Sequence, residues 1–277
     1  MKKGIAIIIP NADYSARNLG KVTFSKTIEE EAAEIVSVYS SNIGTSMYND
    51  ALNLMVIGLM QEGLWEGLDI YPMLGTSLDN KLVNINPNSG FIGLPLIVPS
   101  SATASEDGIM FVRGENGLLI PSSTEKVIAK AEMNGLYNLF DEERTNANTV
   151  TGSCYLLRNC KTKYSDYNVE SVTSQKIRLS FSTNQLPITP EPLIGRNVLS
   201  VSVATNKQSI YANGIELASN ELDITSVVNN FIMSNGLGVM WEGYVRFFVQ
   251  GIIPVDKHSK ANEIFKEFLN SVKPMTE

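Results

Sequence analysis

The sequence has few of the residues on which metal sites and disulfide frameworks depend. Its 277 residues include one histidine, His258, and two cysteines, Cys154 and Cys160. The cysteines are six positions apart, with no second cysteine pair and no histidine near them, and this spacing fits neither a zinc site nor a disulfide framework. We therefore predict no metal site and no cofactor, and we interpret both cysteines as buried or half-buried thiols.

Basic residues are outnumbered, and long apolar runs are absent. The chain has 22 Lys and Arg against 29 Asp and Glu, a net charge of −7. Nucleic-acid affinity depends on clustered basic side chains, so this balance argues against a nucleic-acid partner. No apolar run is long enough to span a bilayer, and the run of residues 4–9 ends at Pro10, which is too early for a signal peptide. We expect residues 4–9 to form a strand in a protein that is soluble, not secreted and not inserted into a membrane.

Recognised catalytic motifs are also missing. The sequence contains no G-x-S-x-G, P-loop, G-x-G-x-x-G or H-E-x-x-H pattern. Asp256, His258 and Ser259 supply the residue types of a catalytic triad, but residues this close on one turn cannot converge on a substrate. We interpret His258 as a solvated histidine at the start of the last helix. The sequence thus predicts no catalytic residue and a chain that is not an enzyme.

The period of the apolar residues divides the chain into three predicted domains. Residues 1–45 combine a strand with a short helix and are interpreted as an attachment region. Residues 46–79 form a helical connector. Residues 80–277 alternate between apolar and polar positions, as strands do, and end in a helix.

Local signals mark the ends of the predicted helices. Thr27 and Glu30 form a capping box that opens the first helix. Gly63 ends the second helix, and Ser259 is the predicted cap of the C-terminal helix.

Turn residues in the last domain predict an antiparallel β fold. Asn213-Gly214 supplies the two positive-φ positions of a type I′ hairpin. Many short strands with few helices between them favour a sandwich or a jelly roll. The predicted strands are residues 108–113, 151–157, 176–182, 198–204, 208–212, 215–218 and 241–250.

The strand at residues 241–250 offers a candidate sugar-binding face, because sandwiches bind sugars with an aromatic platform and a few polar groups on one sheet face. We assign Trp241, Val245, Phe247 and Val249 to the core. The opposite face carries Glu242, Tyr244, Arg246, Phe248 and Gln250, and strands taken as its neighbours carry Lys176, Arg178, Ser180, Ser182, Ser200 and Ser202. The predicted ligand-binding residues are Tyr244, Arg246, Arg178 and Lys176. The alternative is an ordinary solvated outer face or a subunit contact.

The C-terminal part of the chain resembles the final part of concanavalin A-like (LamG-type) jelly rolls. Those end in a long strand, a Y-x-N-G hairpin, a strand that begins with G-Y, and a short helix. The matching pieces here are residues 199–205, Tyr211-Ala212-Asn213-Gly214, residues 242–248 and residues 259–272. The resemblance implies a concanavalin A-like antiparallel jelly-roll sandwich.

The N-terminal part resembles bacteriophage fibre and tail-associated proteins. Their opening pattern, x-x-A-D-F-S-x-x-x-L-G-x-V, resembles Ile8-Ile9-Pro10-Asn11-Ala12-Asp13-Tyr14-Ser15 and Leu19-Gly20-Lys21-Val22-Thr23, with Tyr14 in place of the usual Phe. Their G-I-W-x-K-L-D-x-L-Y-P passage resembles Gly63-Leu64-Trp65-Glu66-Gly67-Leu68-Asp69-Ile70-Tyr71-Pro72, with Glu66-Gly67 in place of Ser-Lys. The resemblance implies a virion protein, a fibre, decoration or tail component that is assembled in the cytoplasm of a bacterial host.

The same resemblance implies partners and leaves two alternatives. Other virion proteins would bind the N-terminal region, host-surface polysaccharide would be the ligand, and the protein would be a homo-oligomer such as a trimer. One alternative is a purely structural virion component without a ligand. The other is a glycan-active hydrolase of the laminarinase type, because residues 221–225 resemble the E-x-D-x-E strand of those enzymes. Glu221 and Asp223 match the first two carboxylates of that pattern, and Thr225 stands where the third is needed.

Overall fold

The fold is described from a computed structural model. The described residues are 26–91, 102–106, 108–111, 118–119, 126–129, 134–144, 154–158, 167–171, 177–181, 184–188, 195–204, 206–221, 230–233, 236–237 and 243–273.

The helices begin and end close to the predicted signals, with one correction. The helices are α1 (Ile28–Ile43), α2 (Asn49–Gln61), α3 (Leu78–Lys81) and α4 (His258–Val272). The capping box is confirmed, because the Thr27 hydroxyl accepts from the Glu30 amide and the Glu30 carboxylate accepts from the Thr27 amide, both at 3.2 Å. The predicted Ser259 cap is wrong. Helix α4 begins two residues earlier than that cap implies, at His258, with Lys257 at its N-cap and no side-chain cap bond.

The strands form antiparallel sheets. They are β1 (Leu68–Tyr71), β2 (Thr103–Ser105), β3 (Gly108–Phe111), β4 (Leu118–Leu119), β5 (Lys126–Ala129), β6 (Leu136–Arg144), β7 (Cys154–Arg158), β8 (Tyr167–Ser171), β9 (Ile177–Phe181), β10 (Asn184–Ile188), β11 (Gly195–Val203), β12 (Lys207–Ala212), β13 (Ile215–Glu221), β14 (Asn230–Met233), β15 (Gly236–Leu237) and β16 (Gly243–Ile252).

An eight-stranded sheet positions the candidate site. Its order is β13-β12-β11-β6-β16-β3-β2, and β1 also pairs with β16. A six-stranded sheet has the order β10-β9-β8-β7-β15-β4, and β14 pairs with β5. The predicted fold class is confirmed: a mainly β, antiparallel sandwich with an N-terminal helical region and a C-terminal helix.

One hydrophobic cluster joins the helices to the eight-stranded sheet. Val36 of α1, Leu59 of α2 and Phe265 of α4 belong to the same buried cluster as Leu139 of β6 and Phe247 of β16. The helices therefore cover one face of the sheet, which we call the helix face. The boundaries predicted for the three domains stay a prediction. Within the described part of the chain, no helix has the length and apolar character of a membrane span.

The opposite face of this sheet is buried too, which corrects the sequence analysis. Leu199, Phe140 and Phe248 are neighbours across three strands, and each is at most 1% exposed. Gln250, which we predicted on a half-exposed face, is fully buried and donates to the Asp69 carboxylate at 3.2 Å. The side of β16 that carries Phe248 and Gln250 is therefore interior.

The predicted hairpin is confirmed. Asn213 and Gly214 have φ values of 53° and 85°, the two positive values that a type I′ turn requires. The side chain of Asn213 also accepts a hydrogen bond from the Val198 amide at 2.9 Å, which ties the turn to β11. This turn fixes the register of β12 and β13, at the edge of the sheet that carries the candidate site.

Candidate functional site

The predicted ligand-binding residues that the structure describes lie on strands of two different sheets. Tyr244 and Arg246 lie on β16 in the eight-stranded sheet, whereas Arg178 lies on β9 in the six-stranded sheet. Lys176 lies outside the described residues. Strand β9 pairs with β8 and β10 and is not a neighbour of β16 in a sheet. Among the described members of this set, Tyr244 and Arg246 share a strand and are in contact, and the common site stays a prediction.

Arg246 is held inside the protein. It is 9% exposed and forms an ion pair with Glu143 on the adjacent strand. Its guanidinium carbon also lies 5.4 Å from the centre of the Tyr244 ring, within cation–π range. These contacts hold the side chain against the sheet.

A groove of about 650 Å³ lies between the helix face of β11 and β12 and helix α4. We call it the groove, and it is a candidate site because it combines a concave shape with convergent polar side chains. Its polar lining comes mainly from Ser200, Ser202, Lys207, Ser209, Tyr211, Asn213, Ser259, Asn262, Glu263, Lys266 and Asn270. Leu139, Val198 and Leu269 supply apolar walls.

The register of β11 and β12 explains why these hydroxyl groups converge. Ser202 is paired with Ser209, and Ser200 is paired with Tyr211. Directly paired residues of an antiparallel ladder project to the same face. Three serine hydroxyls and one tyrosine ring therefore form a compact patch on the floor of the groove.

His258 meets Ser202 at one end of this floor. The Nδ1 atom of His258 lies 2.6 Å from the Ser202 hydroxyl, and Nε2 lies 3.2 Å from the carbonyl oxygens of both Gly135 and Ile253. Carbonyl oxygens only accept, so Nε2 carries the proton and Nδ1 of the neutral ring accepts from Ser202. Burial lowers the pKa of His258, while its bonds to Ile253 and Gly135 raise it; the net shift is downward.

This pair corrects the interpretation of His258 as solvated, because the residue is 5% exposed. Its chemical partner is Ser202, 56 positions away, and not the adjacent Ser259. A serine hydroxyl that donates to a neutral imidazole is the arrangement in which a base can activate a nucleophile. The same bonds also fasten the start of α4 to the sheet.

Two further contacts orient the walls of the groove. The Tyr137 hydroxyl donates to Oδ1 of Asn262 at 2.6 Å, which leaves the amide hydrogens of Asn262 for other acceptors. The ammonium group of Lys207 lies 2.9 Å from both carboxylate oxygens of Glu216, and the Tyr211 hydroxyl donates to the same carboxylate at 3.1 Å. The Tyr211 ring is therefore fixed in place.

Sequence reasoning noted Ser200 and Ser202 but missed their partners. Ser209 and Tyr211 could have been found, because the short β11–β12 connection implies their pairing with Ser202 and Ser200. Asn262 and His258 could not, because only the packing of α4 onto the sheet brings them there.

The laminarinase-type residues receive little support. Glu221 is exposed at the end of β13, an edge strand, where it pairs in register with Lys207. Asp223 and Thr225 lie outside the described residues. Within the described ranges, no group of three or more His, Cys, Asp and Glu could hold a metal ion. Cys154 is on β7, and Cys160 lies outside the described residues.

No protein-family model and no curated protein sequence matches this chain. Solved structures with the same fold include the sialidase of Trypanosoma rangeli in complex with sialic acid, at a TM-score of 0.50 and 13% identity over 76% of this chain and 33% of the sialidase. A mutant of that sialidase displaying trans-sialidase activity aligns at 0.50 and 12% identity over 82% and 40%. The receptor-binding domain of botulinum neurotoxin D aligns at 0.51 and 9% over 72% and 52%.

The chain spans about a third to a half of the length of these proteins. The likeness shows the shared fold, and it contradicts one prediction. We expected from missing motifs that the chain is not an enzyme, yet its fold occurs in sialidases, which are enzymes. Missing sequence motifs are therefore no ground for excluding catalysis here, and that prediction is wrong.

Proposed function

We propose that the protein binds carbohydrate in the groove between β11, β12 and α4. The observation that carries this proposal is the floor of paired serine hydroxyls beside the fixed Tyr211 ring. Sugars present hydroxyl groups for hydrogen bonds and apolar C–H faces for aromatic rings, so such a floor matches both. The volume of about 650 Å³ is in the range of small-molecule sites.

The fold comparison is in accord with this proposal. One matching sialidase is in complex with sialic acid, and the neurotoxin match is a receptor-binding domain.

We further propose that the protein is a homo-oligomeric component of a bacteriophage virion that contacts host-surface polysaccharide. Support comes from the fibre-like patterns at residues 8–23 and 63–72. Many copies on one particle would raise the avidity of weak single sites.

The binding proposal is tested with an array of bacterial polysaccharides and oligosaccharides, followed by calorimetry on the best ligand. Tyr211→Ala removes the stacking ring, and we expect it to weaken binding about tenfold. Tyr244→Ala is the matched control, because this tyrosine lies on β16 and does not line the groove. We expect it to leave the affinity within about twofold of wild type.

Two results would count against the groove. A wild-type protein that binds nothing on the array contradicts carbohydrate binding. A larger loss from Tyr244→Ala than from Tyr211→Ala returns the site to the β16 face. Chromatography of the oligosaccharide after incubation belongs to the same experiment, since a shortened product would add catalysis to binding.

A further inference from the structure

A second cavity, of about 390 Å³, lies at the other end of helix α4. It is bounded by the turn after β1, by the C-terminal end of α4 and by the eight-stranded sheet. Four cationic side chains line it, together with two carboxylates: Lys81, Arg196, Arg246, Lys273, Glu106 and Asp141. We call it the cationic pocket. It stands out in a protein whose net charge is −7.

Lys81 is the unusual member of this set, because it is 3% exposed. Lysine is almost never fully buried unless it is paired with an opposite charge. The Lys81 ammonium group donates to the carbonyl oxygen of Met73 at 3.2 Å. Among the described residues, no carboxylate lies within ion-pair distance of it. Burial lowers its pKa, and the nearby charge of Lys273 lowers it further.

Each arginine of the lining is bound by its own carboxylate. Asp141 is fully buried and is bound by both Nε and Nη2 of Arg196, at distances of 2.6 to 3.1 Å. Arg246 forms its ion pair with Glu143, outside the lining. Glu106 is the remaining carboxylate of the lining; burial lowers the pKa of Lys273, and the nearby charge of Glu106 raises it. Among the described residues, Lys81 is the cation of the lining that has a carbonyl partner and no carboxylate partner, and it lies in a partly closed space where Coulomb interactions are strong.

The turn that receives Lys81 is strained. Met73 has a φ of 54°, in the left-handed region that non-glycine residues rarely adopt, and it is 2% exposed. Holding a non-glycine residue there costs conformational free energy. In this conformation the Met73 carbonyl points at the Lys81 ammonium group. The fold thus keeps a strained turn that fixes a buried cation at the wall of the pocket.

We propose that the cationic pocket binds an oxyanion, a phosphate, sulfate or carboxylate group, with Lys81 as its central ligand. The anion supplies the charge that the buried lysine lacks, and Lys273 contributes from the end of α4. The arginines keep their carboxylate partners and add to the positive potential. This site is separate from the groove and does not depend on carbohydrate binding there.

The test is calorimetric titration of the full-length protein in chloride buffer with inorganic phosphate, sulfate and glucuronate. Wild type should bind at least one of the three. Lys81→Met keeps the length of the side chain and removes the charge, and we expect it to weaken that binding by about tenfold or more. Lys260→Met is the matched control, because Lys260 lies on α4, is exposed and pairs with Glu263. Its affinity should stay within about twofold of wild type.

The three probes distinguish the source of the oxyanion. Tightest binding of phosphate or sulfate assigns the pocket to a free ion or a phosphorylated or sulfated ligand, and tightest binding of glucuronate assigns it to an acidic sugar. Thermal unfolding without ligand shows whether Lys81→Met folds, and Lys81→Gln replaces it if it does not. Wild type that binds none of the probes overturns the proposal, as does equal binding by wild type and the folded Lys81 variant.

Discussion

His258 uses both nitrogens of its ring to fasten α4 to the sheet. One nitrogen accepts from Ser202 on β11, and the other donates to carbonyl groups that precede β6 and follow β16. The neutral ring satisfies all three partners, whereas a protonated Nδ1 would point a hydrogen at the Ser202 oxygen and require that hydroxyl to turn. The position therefore favours the neutral form.

We predict that the stability of the protein depends on pH through His258. Its folded pKa lies below the ordinary value of 6.5, so the unfolded chain binds more protons as the pH falls below that value. The contribution of His258 to the free energy of unfolding should therefore be fully present above pH 6.5. It should decrease as the pH falls from 6.5 toward the pKa of His258 in the folded protein. Urea unfolding of wild type and His258→Gln between pH 5 and 7.5 measures this, and the variant should have the flatter profile.

Because the chain has one histidine, its titration can be read directly by NMR. We expect the imidazole signals of the folded protein to titrate with a midpoint below 6.5. A midpoint at or above that value would contradict both the neutral assignment and the origin of the pH dependence.

Charged residues inside the sheet show what local sequence could not predict. Strand β6 ends in Asp141, Glu142, Glu143 and Arg144, a composition that indicates a solvated segment. Asp141 and Glu142 are nevertheless fully buried. Asp141 is bound by Arg196, which is 55 positions away in the sequence, so the signal for its burial lies in another strand.

At the scale of elements, close backbone contacts join β1 to β16. A Cβ atom at Gly251 would lie 2.0 Å from the carbonyl oxygen of Gly67 and 2.9 Å from the Leu68 side chain. The glycine at this position therefore allows the chain before β1 to approach the central strand. The contact is between backbone atoms, which cannot be relieved by a rotamer change.

We predict opposite effects for two glycine-to-alanine changes. Gly251→Ala should destabilise the protein by about 2–4 kcal/mol, because the backbone must shift. Gly58→Ala lies within α2, where the new Cβ meets Ile264 at an ordinary 3.4 to 3.5 Å, and it should stabilise by about 0.5–1 kcal/mol. Denaturant unfolding measures both, and a Gly251→Ala variant as stable as wild type would contradict the packing described for β1 and β16.

Strands with clear alternation or turn signals were predictable, and two important strands were not. All seven predicted segments overlap observed strands, from β3 to β16. Strand β6, at the centre of the eight-stranded sheet, was missed because its buried acids hide the alternation. Strand β1 was missed because it is four residues long and follows a helix without a turn cluster. The groove depends on where α4 packs, which no local pattern encodes.

At the scale of the whole molecule, the proposed virion role predicts self-association. We expect the purified protein to have a mass in solution that is a multiple of its 30.4 kDa chain mass. Sedimentation equilibrium measures this, and a monomer at micromolar concentration would contradict the homo-oligomer. Antibody labelling of virions tests separately whether the protein is part of the particle. Particles without label would contradict the virion role and would not affect the proposal that the groove binds carbohydrate.

The position of β16 has a consequence for synthesis. Its middle and its C-terminal half lie between β6 on one side and β1 on the other, and it is the last strand of the described chain. Until β16 has been made, β1 and β6 lack the strand that joins them, and their apolar side chains have no completed interior. This part of the sheet therefore cannot close until β16 has been synthesised, and the ladder bonds to β16 span long stretches of sequence, which slows folding.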